Sequence, residues 1–199
     1  GKRQSSYLGP LKLQGISGGK KARNDHIKTT IMALKDKMGL QQNRLFLVGG
    51  SWRALARVDM ERRNYPLHVP HEYRMSTQGI NETIKLLEAS DPEKLRRLCH
   101  ISANRMALLP IACEVLRRLL ITFAPKDIAI SSYGLREGLL FAQMPKKLRD
   151  RDPLIEACYF AEAKDARFPG FGKRLYRFIQ PLFRDFSKAK RRLVKAACL

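Results

Sequence analysis

The sequence predicts an α/β domain that gives way to an all-helical segment. Two observations predict the first part. Arg44-Leu45-Phe46-Leu47-Val48 is a short apolar run that stops at Gly49-Gly50-Ser51, and helical spacing follows at Trp52, Leu55, Ala56, Val58 and Met60. Asp127-Ile128-Ala129-Ile130-Ser131 repeats that grammar, turns through Ser132-Tyr133-Gly134-Leu135-Arg136-Glu137-Gly138, and leads to an apolar helix expected to begin near Leu139. Strands alternating with helices argue for an α/β domain. Short runs of this kind read as strands covered on both faces of a sheet. The third observation is that strand signals vanish after Pro145. A domain boundary is expected near 145–151, with residues 1–145 forming the α/β part and 146–199 the helical one.

The remaining elements follow in order. Residues 5–13 alternate weakly around a Gly-Pro break and read as a strand or a strand-pair edge. Gly15, Gly18 and Gly19 mark a turn; without a following G-K-[ST] they are not a phosphate loop. Ile27, Ile31, Leu34 and Met38 recur at three to four residues, so a helix is expected from Asn24 or Asp25 to Met38, with Gly39 as its C-cap. Residues 64–76 carry two prolines and read as an extended loop. Helices are expected at 77–89 and 92–98, the second opened by Asp91-Pro92. A long helix over 103–123 contains Pro110, which marks a kink or the true start. Beyond the boundary, helices are expected at 152–165, 170–185 and 187–199, with Asp152 and Ser187 as caps.

Charge is the main bulk feature. Lys and Arg number 39 against 18 Asp and Glu, a net +21. Residues 145–199 hold 15 of the basic and 6 of the acidic groups, so the tail is the more basic part per residue. Such a surface attracts polyanions: nucleic acid, anionic membrane or inorganic polyphosphate. No apolar run approaches the roughly 18 residues of a membrane-spanning helix. Gly1-Lys2-Arg3-Gln4-Ser5-Ser6 is basic without an apolar run behind it, so no signal peptide is expected. Cys99, Cys113, Cys158 and Cys198 are widely spaced and read as buried reduced thiols of a cytoplasmic protein.

The two glycine-bearing turns are the candidate sites. At Gly49-Gly50-Ser51 a strand ends and a helix opens, so backbone N–H groups with a partial positive charge could receive a phosphate. The competing reading is a tight turn that needs a positive φ. Arg136, in the second turn, could grip phosphate with both arms of its guanidinium. Alternatively, Arg136 and Glu137 pair within a structural network.

These strings carry a resemblance. Leu47-Val48-Gly49-Gly50-Ser51-Trp52-Arg53-Ala54-Leu55-Ala56-Arg57 resembles the Gly-Gly-Thr/Ser segment of the exopolyphosphatase / guanosine pentaphosphate phosphohydrolase family. Ser131-Ser132-Tyr133-Gly134-Leu135-Arg136-Glu137-Gly138 resembles its Gly-Leu-Arg-Glu-Gly segment, and Asn104-Arg105-Met106-Ala107-Leu108-Leu109-Pro110 resembles its Arg-containing helix start. Ser6-Tyr7-Leu8-Gly9-Pro10-Leu11 at the front, and Asp152-Pro153-Leu154-Ile155 with Arg192-Leu193-Val194 at the back, keep the match collinear. The resemblance implies most of one lobe of an actin and sugar-kinase fold, followed by the start of a helical HD-like domain. It implies substrate positioning by Gly49, Gly50, Ser51, Arg105, Arg136 and Glu137, with Arg53 a weaker candidate. It implies magnesium as cofactor of the complete enzyme, and polyphosphate or guanosine pentaphosphate as substrate. The family's catalytic Glu and Gly-rich phosphate loop precede the matched segments, so the resemblance assigns no catalytic base here.

A second reading is a non-enzymatic basic protein that binds RNA or polyphosphate; a second copy of the chain is a further candidate partner. His68 and His71, three residues apart around Pro70, lack a third metal ligand nearby. Trp52 reads as helix–sheet packing. Ser131 and Ser132 have no base nearby and are not read as nucleophiles.

Overall fold

The computed structural model describes residues 4–39 and 43–199. The reading of Gly1, Lys2 and Arg3 lies outside the described residues. Two compact units divide the chain, Gly1–Gly138 and Leu139–Leu199.

The first unit opens with a helix where the alternation of residues 5–13 predicts a strand. Helix α1 spans Pro10–Gln14, and Pro10 at its first turn supplies the fixed φ that a helix start needs. Leu13 is fully buried, in a cluster with Ile27, Ile31, Ile111 and Val115. That packing overrides a weak two-residue period. Helix α2 spans Gly19–Met38 and so begins about one turn before the expected Asn24. Gly18 (φ 95°) and Gly19 (φ 70°) make the left-handed turn that starts it. At its end the Gly39 N–H donates to the Lys35 carbonyl, the expected C-cap.

Strand β1 (Arg44–Val48) leads into helix α3 (Gly50–Arg62). Strand β2 is a two-residue piece, Arg74–Met75, inside the segment read as loop. Two residues are too few to show a period. Helices α4 (Thr77–Ala89), α5 (Pro92–Leu98) and α6 (Ala103–Phe123) follow; Asp91 caps α5 as expected, accepting from the Glu93 and Lys94 N–H groups, and the Ser76 hydroxyl caps α4 by accepting from the Gly79 N–H. Pro110 lies inside α6, neither starting it nor burying its ring.

Strand β3 (Asp127–Ser131) is central in a three-stranded sheet of order β1-β3-β2. It pairs with β1 in parallel, from Arg44↔Asp127 to Val48↔Ser131, and with β2 antiparallel. Ile128, Ala129 and Ile130 are fully buried, as expected. The expectation of a fully covered β1 is corrected: only Leu47 is buried, while Phe46 is 51% and Val48 47% exposed. β1 is the outer strand, so among the described residues its far edge and one flank lack a neighbour. The main core packs Leu55, Val58, Met60, Ile80, Ile84, Leu109 and Leu116 of α3, α4 and α6 against Ile128 and Ile130. Helix α7, expected near Leu139, spans Leu135–Gln143 and buries none of its residues.

The second unit is helical, without strands among the described residues. It contains α8 (Lys146–Arg149), α9 (Pro153–Asp165), α10 (Phe171–Ile179) and α11 (Lys188–Cys198). The single helix expected at 170–185 breaks into a 3-10 turn at Gln180–Phe183, where Pro181 removes a helical N–H donor. Asp152 caps α9 and also takes both arms of Arg192 from α11. Its carboxyl is held down at about 2, first by that guanidinium and then by the Leu154 and Ile155 N–H groups, with desolvation opposing. Buried Glu162 accepts the Gly170 and Gly172 N–H groups at 3.0 and 2.8 Å, satisfying the start of α10.

Candidate functional site

The register Val48↔Ser131 brings both strands to the same edge of the sheet, and both glycine-bearing turns leave from there. Carboxyl ends of parallel strands are where α/β folds place ligands. A Cβ at Gly134 would lie 3.7 Å from Val48 Cγ1, so the turn after β3 sits against the end of β1.

The turn after β1 is open. Gly49 has φ 136° and ψ 171°, a conformation that belongs to glycine almost alone. Among the described residues no side chain caps α3. The N–H groups at its first turn therefore have no acceptor within the helix, and they carry the positive end of its dipole. Arg105 of α6 lies over this turn: a Cβ on Gly50 would come within 3.0 Å of its Nε. The structure thus gathers Gly49, Gly50, Ser51 and Arg105 into one group, although Arg105 is more than fifty residues away in sequence. Trp52 is half-buried against the main core, the packing role expected of it.

The turn after β3 is closed. The Gly134 N–H donates to Glu137 Oε2 at 2.7 Å, the Tyr133 N–H to Ser131 Oγ at 3.2 Å, and the Ser132 N–H to His71 Nδ1 at 3.3 Å. Glu137 is held below the usual carboxylate range, chiefly by the Gly134 N–H, then by its own N–H; desolvation opposes, and the Arg136 and Arg53 charges assist. Its carboxylate caps α7, and this capping starts the helix four residues before Leu139. Arg136, at the start of the same helix, is exposed. Arg136 and Glu137 form no ion pair among the described residues.

Two residues near the turns make contacts that their sequence positions do not announce. Arg53 is half-buried, and its Nη1 reaches the Ser132 carbonyl at 3.4 Å. His71 comes from the segment before β2 to meet Ser132, and its ring stands edge-on to Tyr133 at 4.6 Å. His68 goes elsewhere, into a pocket of about 370 Å³ with Arg57, Glu61, Cys99 and His100. No short-range sequence signal separates the two histidines; only the β2–β3 pairing does. Among the described residues no group of three or more His, Cys, Asp or Glu is placed to hold a metal ion. These side chains do not by themselves fit a magnesium site. Of the four thiols expected to be buried, Cys99 and Cys113 are, and burial pushes them up to about 11 and about 12, away from the reactive thiolate; Cys158 and Cys198 are only partly buried.

Comparison with known proteins follows the same segment. A family model described as the Ppx/GppA phosphatase family matches residues 21–147. Among solved structures, the type II variant of the Aquifex aeolicus Ppx/GppA phosphatase is similar at a TM-score of 0.54 and 17% identity, covering 69% of this chain and 48% of that one. A structure of the Aquifex aeolicus PPX-GPPA enzyme is 19% identical with a TM-score of 0.48, covering 62% and 40%. The first likeness shows a shared fold. The chain spans less than half the length of either structure. No curated protein matches it.

Proposed function

This chain belongs to the Ppx/GppA phosphatase family, and from that premise we propose that it supplies the phosphate-positioning part of a phosphohydrolase acting on inorganic polyphosphate or guanosine pentaphosphate. The observation that carries the reading is the uncapped start of α3 beneath Arg105. In this proposal, oxygens of the phosphate chain accept hydrogen bonds from the N–H groups at Gly50 and Ser51. Gly49 allows their close approach. Arg105 adds charge over the same point, and Arg136 reaches from the adjoining turn. Catalysis of phosphoryl transfer rests largely on positioning and charge compensation. These are what the residues here can offer.

The general base is not assigned to this chain. Glu137 is the carboxylate at these turns, and its capping bond commits it to holding Gly134. Magnesium would serve the complete enzyme; the described side chains of this chain do not form a ligand set for it. The 199-residue chain is expected to release no phosphate from polyphosphate or guanosine pentaphosphate, with or without magnesium, in a colorimetric phosphate assay. A full-length enzyme carrying this chain is expected to release it from at least one of them. Metal-dependent release by the 199-residue chain, abolished by Arg136→Ala, would contradict this division of roles.

One observation favours a second reading, polyanion binding without turnover. A cleft of about 850 Å³ between α9 and α11 is lined by Arg151, Lys188, Arg191, Arg192 and Lys195. Of its acidic groups, Asp152 is paired with Arg192 and Glu156 with Arg151. The remaining cations could hold a distal stretch of phosphate chain. Salt-sensitive binding that survives Arg105→Ala and Arg136→Ala unchanged would favour this reading over the first.

A further inference from the structure

We propose that His71 is a positioning residue. With Arg53 it holds the Ser132 backbone at its N–H and at its carbonyl and so sets the turn that presents Arg136 to the phosphate ligand. The proposal rests on the phosphate-binding reading above for its consequence, but not for its geometry. The Ser132 N–H donates to His71 Nδ1 at 3.3 Å, and the Ser132 carbonyl accepts from Arg53 Nη1 at 3.4 Å. The two backbone groups of one residue, the N–H in the peptide before Ser132 and the carbonyl in the peptide after it, are thus held by two elements that both bear on the site: α3, whose first turn is the open anion site, and the segment leading into β2.

Each end of this clamp is itself anchored. His71 cannot drift along the sheet, because the next residue, Glu72, donates its N–H to the Ile130 carbonyl at 2.8 Å, and Tyr73 accepts from the Ile130 N–H at 3.0 Å. Its ring is fixed in rotation by the edge-on contact with Tyr133. Arg53 is one turn into α3, with its own N–H bonded to the Gly49 carbonyl at 3.2 Å. Accepting at Nδ1 requires the imidazole proton on Nε2, so the contact selects one tautomer. A shift of the turn would move Arg136 relative to Gly50 and Arg105. Holding the turn in place before the ligand arrives lowers the ordering cost of binding.

The chemistry of the contact suggests its own control. Asparagine presents an acceptor oxygen close to where Nδ1 of histidine lies; alanine presents none. The test uses the 199-residue chain with inorganic tripolyphosphate as probe. Affinity is measured by calorimetry, and protection of the Ser132 amide by hydrogen exchange. His71→Ala is expected to weaken tripolyphosphate binding about two- to tenfold, the range for one hydrogen bond, and to abolish Ser132 protection. His71→Asn is expected to restore both. Thermal melts of the two variants should agree, because His71 is exposed. Unchanged affinity and unchanged Ser132 protection in His71→Ala would overturn the clamp. So would His71→Asn behaving like His71→Ala in both readouts. If the unmodified chain binds no tripolyphosphate, the phosphate reading fails, while Ser132 protection in the two variants still decides whether the clamp exists.

Discussion

Asp59→Ala is expected to lower the unfolding free energy of the chain by about 3–5 kcal/mol, the range for breaking a buried charge pair. Asp59 is 1% exposed, on the inner face of α3. Its Oδ1 accepts from the Thr83 hydroxyl at 2.6 Å and from Arg62 Nη2 at 2.8 Å, and its Oδ2 accepts from the Tyr73 hydroxyl at 2.6 Å. These bonds tie α3 to α4 and to the segment before β2. Removing the carboxylate leaves the buried Tyr73 hydroxyl without its acceptor, leaves the Thr83 hydroxyl only the Gly79 carbonyl at 2.8 Å, and leaves Arg62 with Glu82 as its one charged partner among the described residues. Burial, followed by the bond to Asp59, pushes the Tyr73 hydroxyl up to about 12, so it stays a donor across the ordinary pH range. Urea unfolding of the chain measures the loss. A change below about 1 kcal/mol would mean that these groups find water or new partners, and that the network does not hold α3 in place.

The second large effect concerns the ligand. In a full-length enzyme carrying this chain, Arg136→Ala is expected to lower kcat/KM by about 10- to 100-fold, as for the loss of a hydrogen bond to a charged group. Stability should hardly change. Arg136 is exposed, and the capping of α7 depends on Glu137 rather than on it. Steady-state kinetics alongside a thermal melt separates the outcomes. A lower melting temperature with unchanged kinetics would place Arg136 in the structural network and end its assignment to the ligand.

Much of this arrangement is legible in the sequence because it depends on local rules. The strand–turn–helix units at 44–60 and 127–143 announce themselves through apolar runs stopped by glycine. The helix starts at Asp91, Asp152 and Ser187 do so through capping chemistry. The fold class and the Ppx/GppA resemblance follow from the same segments. What stays hidden depends on distant partners. Leu13 turns residues 10–14 into a helix by packing against Ile27 and Ile111, which no local pattern shows. Phe46 and Val48 read as core, yet they flank an outer strand. Asp59 carries no local signal, and it becomes the centre of a buried network only when Tyr73 and Thr83 arrive. His71 carries no local signal of a role, and sheet pairing brings it to Ser132. Local grammar places the open turn at Gly49-Gly50-Ser51; the tertiary fold brings Arg105 to it.

If the open turn at the start of α3 binds phosphate, a titration of the isotopically labelled chain with inorganic tripolyphosphate, followed by amide NMR, will show it. Saturable shifts centred on the amides of Gly49, Gly50 and Ser51 and on the Arg105 side chain, lost in Arg105→Ala, are the predicted result. Shifts confined to the basic helices of residues 146–199, with Gly49, Gly50 and Ser51 unmoved, would contradict it.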